Sequence, residues 1–188
     1  MKHFKALVCL VIILMFPVLG AGCSSGVASS GSQTSSSKQT VFNFYDQVQM
    51  NQTKAQVDAE LGVTPTESTQ LKNVFNYTDE KTGFGVSVLF NENGTVTSKT
   101  LLYANRKDIA FLTNKPVTQE QANKISDGMS DAEVKAILGE EGTEINATQI
   151  PFADNQISYI RVWVNDDESM IQIVFGTDGT VSNVMFFE

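Results

Sequence analysis

The chain repeats itself, and the repeat constrains the fold before any single element is considered. Residues 48–62, with Thr53, Val57, Ala59 and Leu61, align at an offset of 77 with residues 125–139, which carry Ser130, Val134, Ala136 and Leu138. Residues 86–96 then align at an offset of 85 with residues 171–181. The change of offset places eight extra residues between the helix and the strands of the second copy. A chain built this way folds as two like units.

Each copy shows the same order of signals. Val41, Phe42, Phe44, Tyr45 and Val48 recur at helical spacing and predict a first helix over 41–49. Thr53 with Gln56 forms a capping-box pattern that opens a short second helix, and Gly62 stops it. Thr118 with Gln121, Ser130 with Glu133, and Gly139 repeat those signals. Three strands are expected in each copy, with Asn93-Gly94 and Asp178-Gly179 as two-residue hairpin turns. The expectation is an α+β chain of two tandem ααβββ modules, 41–103 and 118–188, joined by a connector over 104–117.

Strict alternation of Val86, Val88 and Phe90, and of Ile171, Ile173 and Phe175, assigns these residues to the helix-covered core. On this reading the opposite face shows Asn76, Thr78, Ser87, Leu89, Lys99, Leu101 and Tyr103 in copy one. In copy two it shows Tyr159, Arg161, Trp163, Gln172, Val174, Val184 and Phe186.

The amino-terminal 23 residues read as an export signal. Lys2, His3 and Lys5 precede a fourteen-residue apolar stretch, 6–19, which ends at Gly20-Ala21-Gly22-Cys23. That stretch is short against the roughly 20 residues that span a bilayer. It resembles the lipobox of bacterial lipoproteins, which implies diacylglycerol and palmitate on Cys23, with Gly20 standing where leucine is commonest. The chain is then expected at the cell membrane, lipid-anchored and facing outside the cytoplasm. Residues 24–40, with eight serines and no aromatic residue, read as a flexible tether.

Loss of the signal removes Lys2 and Lys5 and no acids, leaving eleven bases against twenty-one acids. Such a surface does not suit nucleic acid, whose phosphates need a basic face. His3 and Cys9 both lie in the signal, so the mature chain has no imidazole and only Cys23 for sulfur. Histidine-dependent catalysis, histidine or cysteine metal sites and disulfides are thereby excluded, and no cofactor is expected. Asp166-Asp167-Glu168 beside Asn165 reads as a solvated turn, because it lacks the alternation and the downstream glutamate of a calcium loop. Glu140, Glu141 and Glu144 follow a helix stop and read as a charged loop.

The paired pattern of Gly128-Met129-Ser130, Val134 and Leu138-Gly139, followed by antiparallel strands and present twice, resembles the tandem repeat of the beta-lactamase-inhibitor-protein family. Small outer-membrane assembly lipoproteins show a single such unit. The resemblance implies two helix-pair-on-sheet modules whose free sheet faces form a concave protein-binding surface, and no enzyme activity. In that family an aspartate and a tyrosine at the start of the second strand of copy one enter the partner enzyme's active site. Gly83 and Phe84 stand there in this chain, with Asp79 and Glu80 nearby, and the family's disulfides cannot form.

The expected partner-binding set is Tyr159, Arg161, Trp163 and Phe186, with Phe84. Large rigid aromatics and a guanidinium are the types enriched at binding hot spots. The same residues could instead pair across strands or pack between the copies. Two functions stay open on sequence alone. One is a tethered module that captures an extracytoplasmic protein or peptide with its sheet face. The other is an envelope structural or assembly factor.

Overall fold

The computed structural model describes residues 37–188. The export signal, Cys23 and most of the tether lie outside the described residues. The order of elements is α1 (Lys38–Gln47), α2 (Lys54–Leu61), β1 (Thr66–Glu67), β2 (Val74–Thr78), β3 (Gly85–Phe90), β4 (Val96–Leu102), α3 (Lys107–Ala110), α4 (Gln119–Ala122), α5 (Asp131–Leu138), β5 (Thr143–Ile150), β6 (Gln156–Val164), β7 (Met170–Phe175) and β8 (Val181–Phe187). The strands form one antiparallel sheet in sequence order, β1 to β8.

The helix boundaries follow their caps. Ser37 accepts the amide of Thr40 and opens α1 at Lys38, three residues before the expected start and inside the segment assigned to the tether. Thr53 and Gln56 form a reciprocal capping box on α2, and Gly62 ends that helix at φ 65°. Ser130 and Glu133 do the same for α5, which Gly139 ends at φ 86°. Thr118 and Gln121 cap α4, which lasts only four residues.

Three strands per copy proved too few. The two-residue β1 pairs with β2, and the eight-residue β5 occupies the stretch around Glu144 that reads in sequence as a charged loop. Ser98, Lys99 and Thr100 of β4 pair with Thr148, Ala147 and Asn146 of β5, so the strands of both halves share one ladder. The two hairpin turns are also longer than the dipeptides suggest. Asn91 donates to Thr95 O and Gly176 to Thr180 O, closing three-residue loops. Only Gly94 (φ 74°) and Gly179 (φ 75°) adopt left-handed backbone there, so Asn93 and Asp178 do not form the type I′ pair.

The larger core lies between α1, α2, α5 and one face of the sheet, and on the other face Ile160, Val162, Val164, Met170 and Val174 are buried beside α3, whose Ile109 and Ala110 are buried too. Val57 of α2 and Val134 of α5, which align at the offset of 77, are both fully buried. Under α5 the cluster comprises Val134, Leu138, Trp163, Ile171, Ile173, Phe175 and Val181 with Val117, Ala122 and Ile125. Each fully buried aliphatic or aromatic side chain contributes roughly 1.5–3 kcal/mol. Tyr77 and Trp163 are the two largest fully buried side chains. They hold matching places, Tyr77 opposite Val86 and Trp163 opposite Ile171.

Candidate interaction surface

Strand register decides which side chains can meet a partner. Tyr159 lies opposite Phe175, Arg161 opposite Ile173 and Trp163 opposite Ile171, so all three share the face of the α5 core. Val184 opposite Ile173 and Phe186 opposite Ile171 extend that face onto β8. This corrects the sequence assignment, which put the aromatic set on the other side.

The chemistry under α5 explains the reversal. Trp163 is 1 % exposed and donates from Nε1 to Glu140 O at 3.2 Å. Arg161 reaches Asp131 at the start of α5 (2.9 Å) and Glu141 (2.7 Å), which lets a guanidinium sit on the core side. Tyr159 stacks on Phe175 with ring centroids 4.9 Å apart. Phe84 is buried as well, so neither it nor Trp163 projects from the surface.

The first half uses the same places with different groups. Tyr77 Oη donates to Asp58 at 2.7 Å, and Asp58 also holds Lys54 at 2.8 Å. Burial tends to raise the Asp58 pKa, but the bonds from Lys54 and Tyr77 outweigh it and keep the carboxyl below its ordinary value. Lys54 lies 4.5 Å from the Phe75 ring centroid. Lys54 and Asp131 align at the offset of 77, while Phe75 opposite Val88 matches Arg161 opposite Ile173. A cation on helix over aromatic on strand thus becomes an anion on helix against a cation on strand.

Lys99 and Leu101 are corrected in the same way. They lie opposite Val88 and Val86 on the helix side, and Lys99 Nζ donates to Tyr45 O (3.0 Å) and Val48 O (2.9 Å). Burial lowers the Lys99 pKa, partly opposed by Glu144 and Asp46. Tyr45 Oη donates to Glu144 at 2.8 Å, tying α1 to β5, and burial followed by the Glu144 charge raises the Tyr45 pKa. Tyr103 falls after the end of β4 and belongs to neither strand face.

What faces away from α1, α2 and α5 is a different set. One register row runs Asn76, Ser87, Thr100, Asn146, Ile160, Val174 and Asn183 across seven strands. Asn76, Thr78, Ser87, Leu89, Gln172 and Val174 take the side expected of them. The β4–β5 seam is polar. Ser98 and Thr148 hydroxyls are 2.7 Å apart, and Asn146 Nδ2 donates to Thr100 Oγ1 at 2.8 Å and to Lys99 O at 3.1 Å. Toward β8 the same side turns apolar, with Ile160, Val162, Val174, Met185 and Phe187.

Because every neighbouring pair is antiparallel, the loops 79–84 and 165–169 and the start of the connector share one end of the sheet. Asp79 holds the first loop, accepting Lys81 N at 2.9 Å and Thr82 Oγ1 at 3.1 Å. Asn165 ties the second to the connector by donating to Val117 O (2.8 Å) and accepting Val117 N (2.9 Å). Asp167 accepts the Ser169 hydroxyl and amide, and these bonds hold its carboxyl below the usual range. Sequence reasoning missed β5, Lys99, Glu144 and Asn146. The one available signal was the alternation of Thr143, Ile145 and Ala147.

Among the described residues no group of three or more acidic, histidine or cysteine side chains is placed to hold a metal ion. The arrangement offers a polar, ladder-braced stretch of sheet over β2 to β5 with a bonded loop at 79–84 on one end, which suits contact with another macromolecule. No curated protein matches the chain. Residues 41–162 match the family described as Beta-lactamase inhibitor (BLIP), and the chain belongs to that family.

Proposed function

We propose that this chain is a cell-envelope lipoprotein, acylated at Cys23, which binds another extracytoplasmic protein through the sheet face turned away from its helices. Its folded part comprises two tandem units, 41–103 and 118–188, whose strands join at β4 and β5. The reading is of a non-enzymatic, inhibitor-like binder, in keeping with a family of inhibitor proteins.

The observation that carries it is the register row from Asn76 to Asn183. The helix side is filled by buried core and by Lys99, Arg161 and Trp163, all bonded to neighbouring elements. On the other side β6 and β7 are buried beside α3, through Ile160, Val162, Val164, Met170 and Val174, so the part that can vary without loss of the core is the polar stretch of that face over β2 to β5. The loop in which the resembling inhibitor places its aspartate and tyrosine here has Asp79 bonded within the loop and Phe84 buried. The target is accordingly read as a protein met through the face more than through that loop.

The test uses the full chain in its own cells. A photoreactive residue at Ser87 or Thr148, on the face, is compared with one at Glu60 or Lys135, on the helices. The expected result is one protein adduct common to both face sites and missing from both helix sites. Equal labelling from the helices would refute the reading. Labelled palmitate should enter the parent chain and not the Cys23→Ser variant; uptake by Cys23→Ser would refute the anchor alone.

A further inference from the structure

We propose that the outer edge of β8 pairs with β8 of a second copy of this chain, antiparallel and about a two-fold axis at Val184. The inference concerns the open edge of the sheet and does not need a partner on the face, although Asn183 and Met185 of that edge lie at the margin of the face.

The first support is internal. β4 and β8 follow corresponding bulges, at Leu89/Phe90 and at Val174/Phe175. Their outer edges also begin covered alike. Asn51 N donates to Val96 O and Val96 N to Gln52 O; Gly128 N donates to Val181 O and Val181 N to Met129 O. Beyond that point the two strands part. β5 takes the β4 edge at Ser98, Lys99 and Thr100. Their counterparts Asn183, Val184 and Met185 pair with β7 on the inner side and have no strand on the outer side among the described residues. The fold thus shows, at β4, that an edge of this form accepts an antiparallel strand.

The second support is chemical and selects the occupant. From Thr180 to Phe187 the chain has no charge and no proline, the devices that usually blunt an exposed edge. Where β4 carries Lys99, β8 carries Val184. Val184 and Phe186 on the α5 side, and Met185 and Phe187 on the other, are all only half-buried. A strand that covers both rows fits best if it is uncharged and carries apolar side chains on both faces, and β8 itself, with Val184 and Phe186 on one row and Met185 and Phe187 on the other, is such a strand. Pairing about Val184 sets Val184 against Val184 and Asn183 against Met185, with no like charges opposed. The operation closes at two copies. The other sheet edge, β1, is two residues long and offers no comparable ladder.

The test is sedimentation of the full chain together with cysteine crosslinking. The parent should sediment as a dimer. Val184→Cys should give a covalent dimer under mild oxidation, well above any formed by the parent. Asn183→Lys, at an exposed position, should shift the chain to monomer while its melting stays cooperative. A parent that stays monomeric across the accessible concentrations overturns the proposal. So does Val184→Cys crosslinking no more than the parent, or Asn183→Lys remaining fully dimeric.

Discussion

Replacing Trp163 by alanine separates a core role from a binding role. The indole is 1 % exposed, packs with Val134, Leu138 and Ile171, and donates to Glu140 O. Truncation of a buried aromatic costs about 3–5 kcal/mol, and the lost hydrogen bond adds about 1 kcal/mol. At roughly 2–4 °C per kcal/mol for a chain of this size, the melting temperature should fall by about 8–24 °C. Gly142 supplies an internal control. A Cβ built there lies 2.6 Å from the Trp163 ring, so Gly142→Ala should cost about 1–3 kcal/mol in the parent by overpacking. In the Trp163→Ala background that cost should largely vanish, because the clashing ring is gone. Urea and thermal melts followed by far-UV circular dichroism read both effects. The intrinsic emission of the single tryptophan should move to the red on unfolding of the parent. A Trp163→Ala protein that melts within 1 kcal/mol of the parent, or a Gly142→Ala cost unchanged by removal of the indole, would refute the core assignment.

Three further outcomes follow from the same contacts. Arg161→Met should stay within about 1 kcal/mol of the parent in chemical denaturation, because an apolar side chain of similar length keeps the packing and relieves the cost of burying a charge; Asp131→Ala, which strands part of that charge, should be clearly worse. Ser130→Ala should cost about 1 kcal/mol by removing the α5 cap, read from the urea midpoint at constant slope. The Asp58 carboxyl is held below its ordinary value of 3.8 in the folded chain, so the stability it adds is present above that value and is lost as pH falls through the folded one. Asp58→Asn should therefore lower stability at neutral pH and flatten the acid limb of the stability curve.

Local signals carried further than facial ones. Thr53, Ser130, Gly62 and Gly139 marked helix ends because a cap is a contact among residues three or four apart. The faces of β6 could not be read the same way. One parity carries Ile157, Tyr159, Arg161 and Trp163, the other Ser158, Ile160, Val162 and Val164, so both are apolar enough for the core. A charged residue usually votes for the solvent side, and Arg161 cast that vote wrongly because Asp131 and Glu141, far off in sequence, neutralise it. The strand partner is set by the loop between β6 and β7, and an error of one residue in its length flips every side chain. β5 was lost for a related reason: Glu140, Glu141 and Glu144 dominate its start, while Tyr45, which uses Glu144, is 99 residues away.

The paired positions also say where selection on binding can act. Tyr77 and Trp163 fill matching holes with different shapes, and Lys54 with Phe75 is matched by Asp131 with Arg161. Each exchange is compensated by its own neighbours, Asp58 in one half and Glu140 or Glu141 in the other. Such compensation marks a surface under packing constraint, where a single change is costly until its partner changes too. On the opposite side the matching pair Ser87 and Gln172 differ, and Ser87 is bonded to no side chain of another element, whereas Thr100, which matches Met185, is held by Asn146. Residues free to diverge one at a time are the ones that can be tuned to a partner without unfolding the sheet. By that reasoning Ser87→Arg should abolish capture at the face while leaving the melting temperature within about 2 °C, a surface change of under about 0.5 kcal/mol. Equal loss of stability and binding would place Ser87 in the packing network and take the binding surface elsewhere.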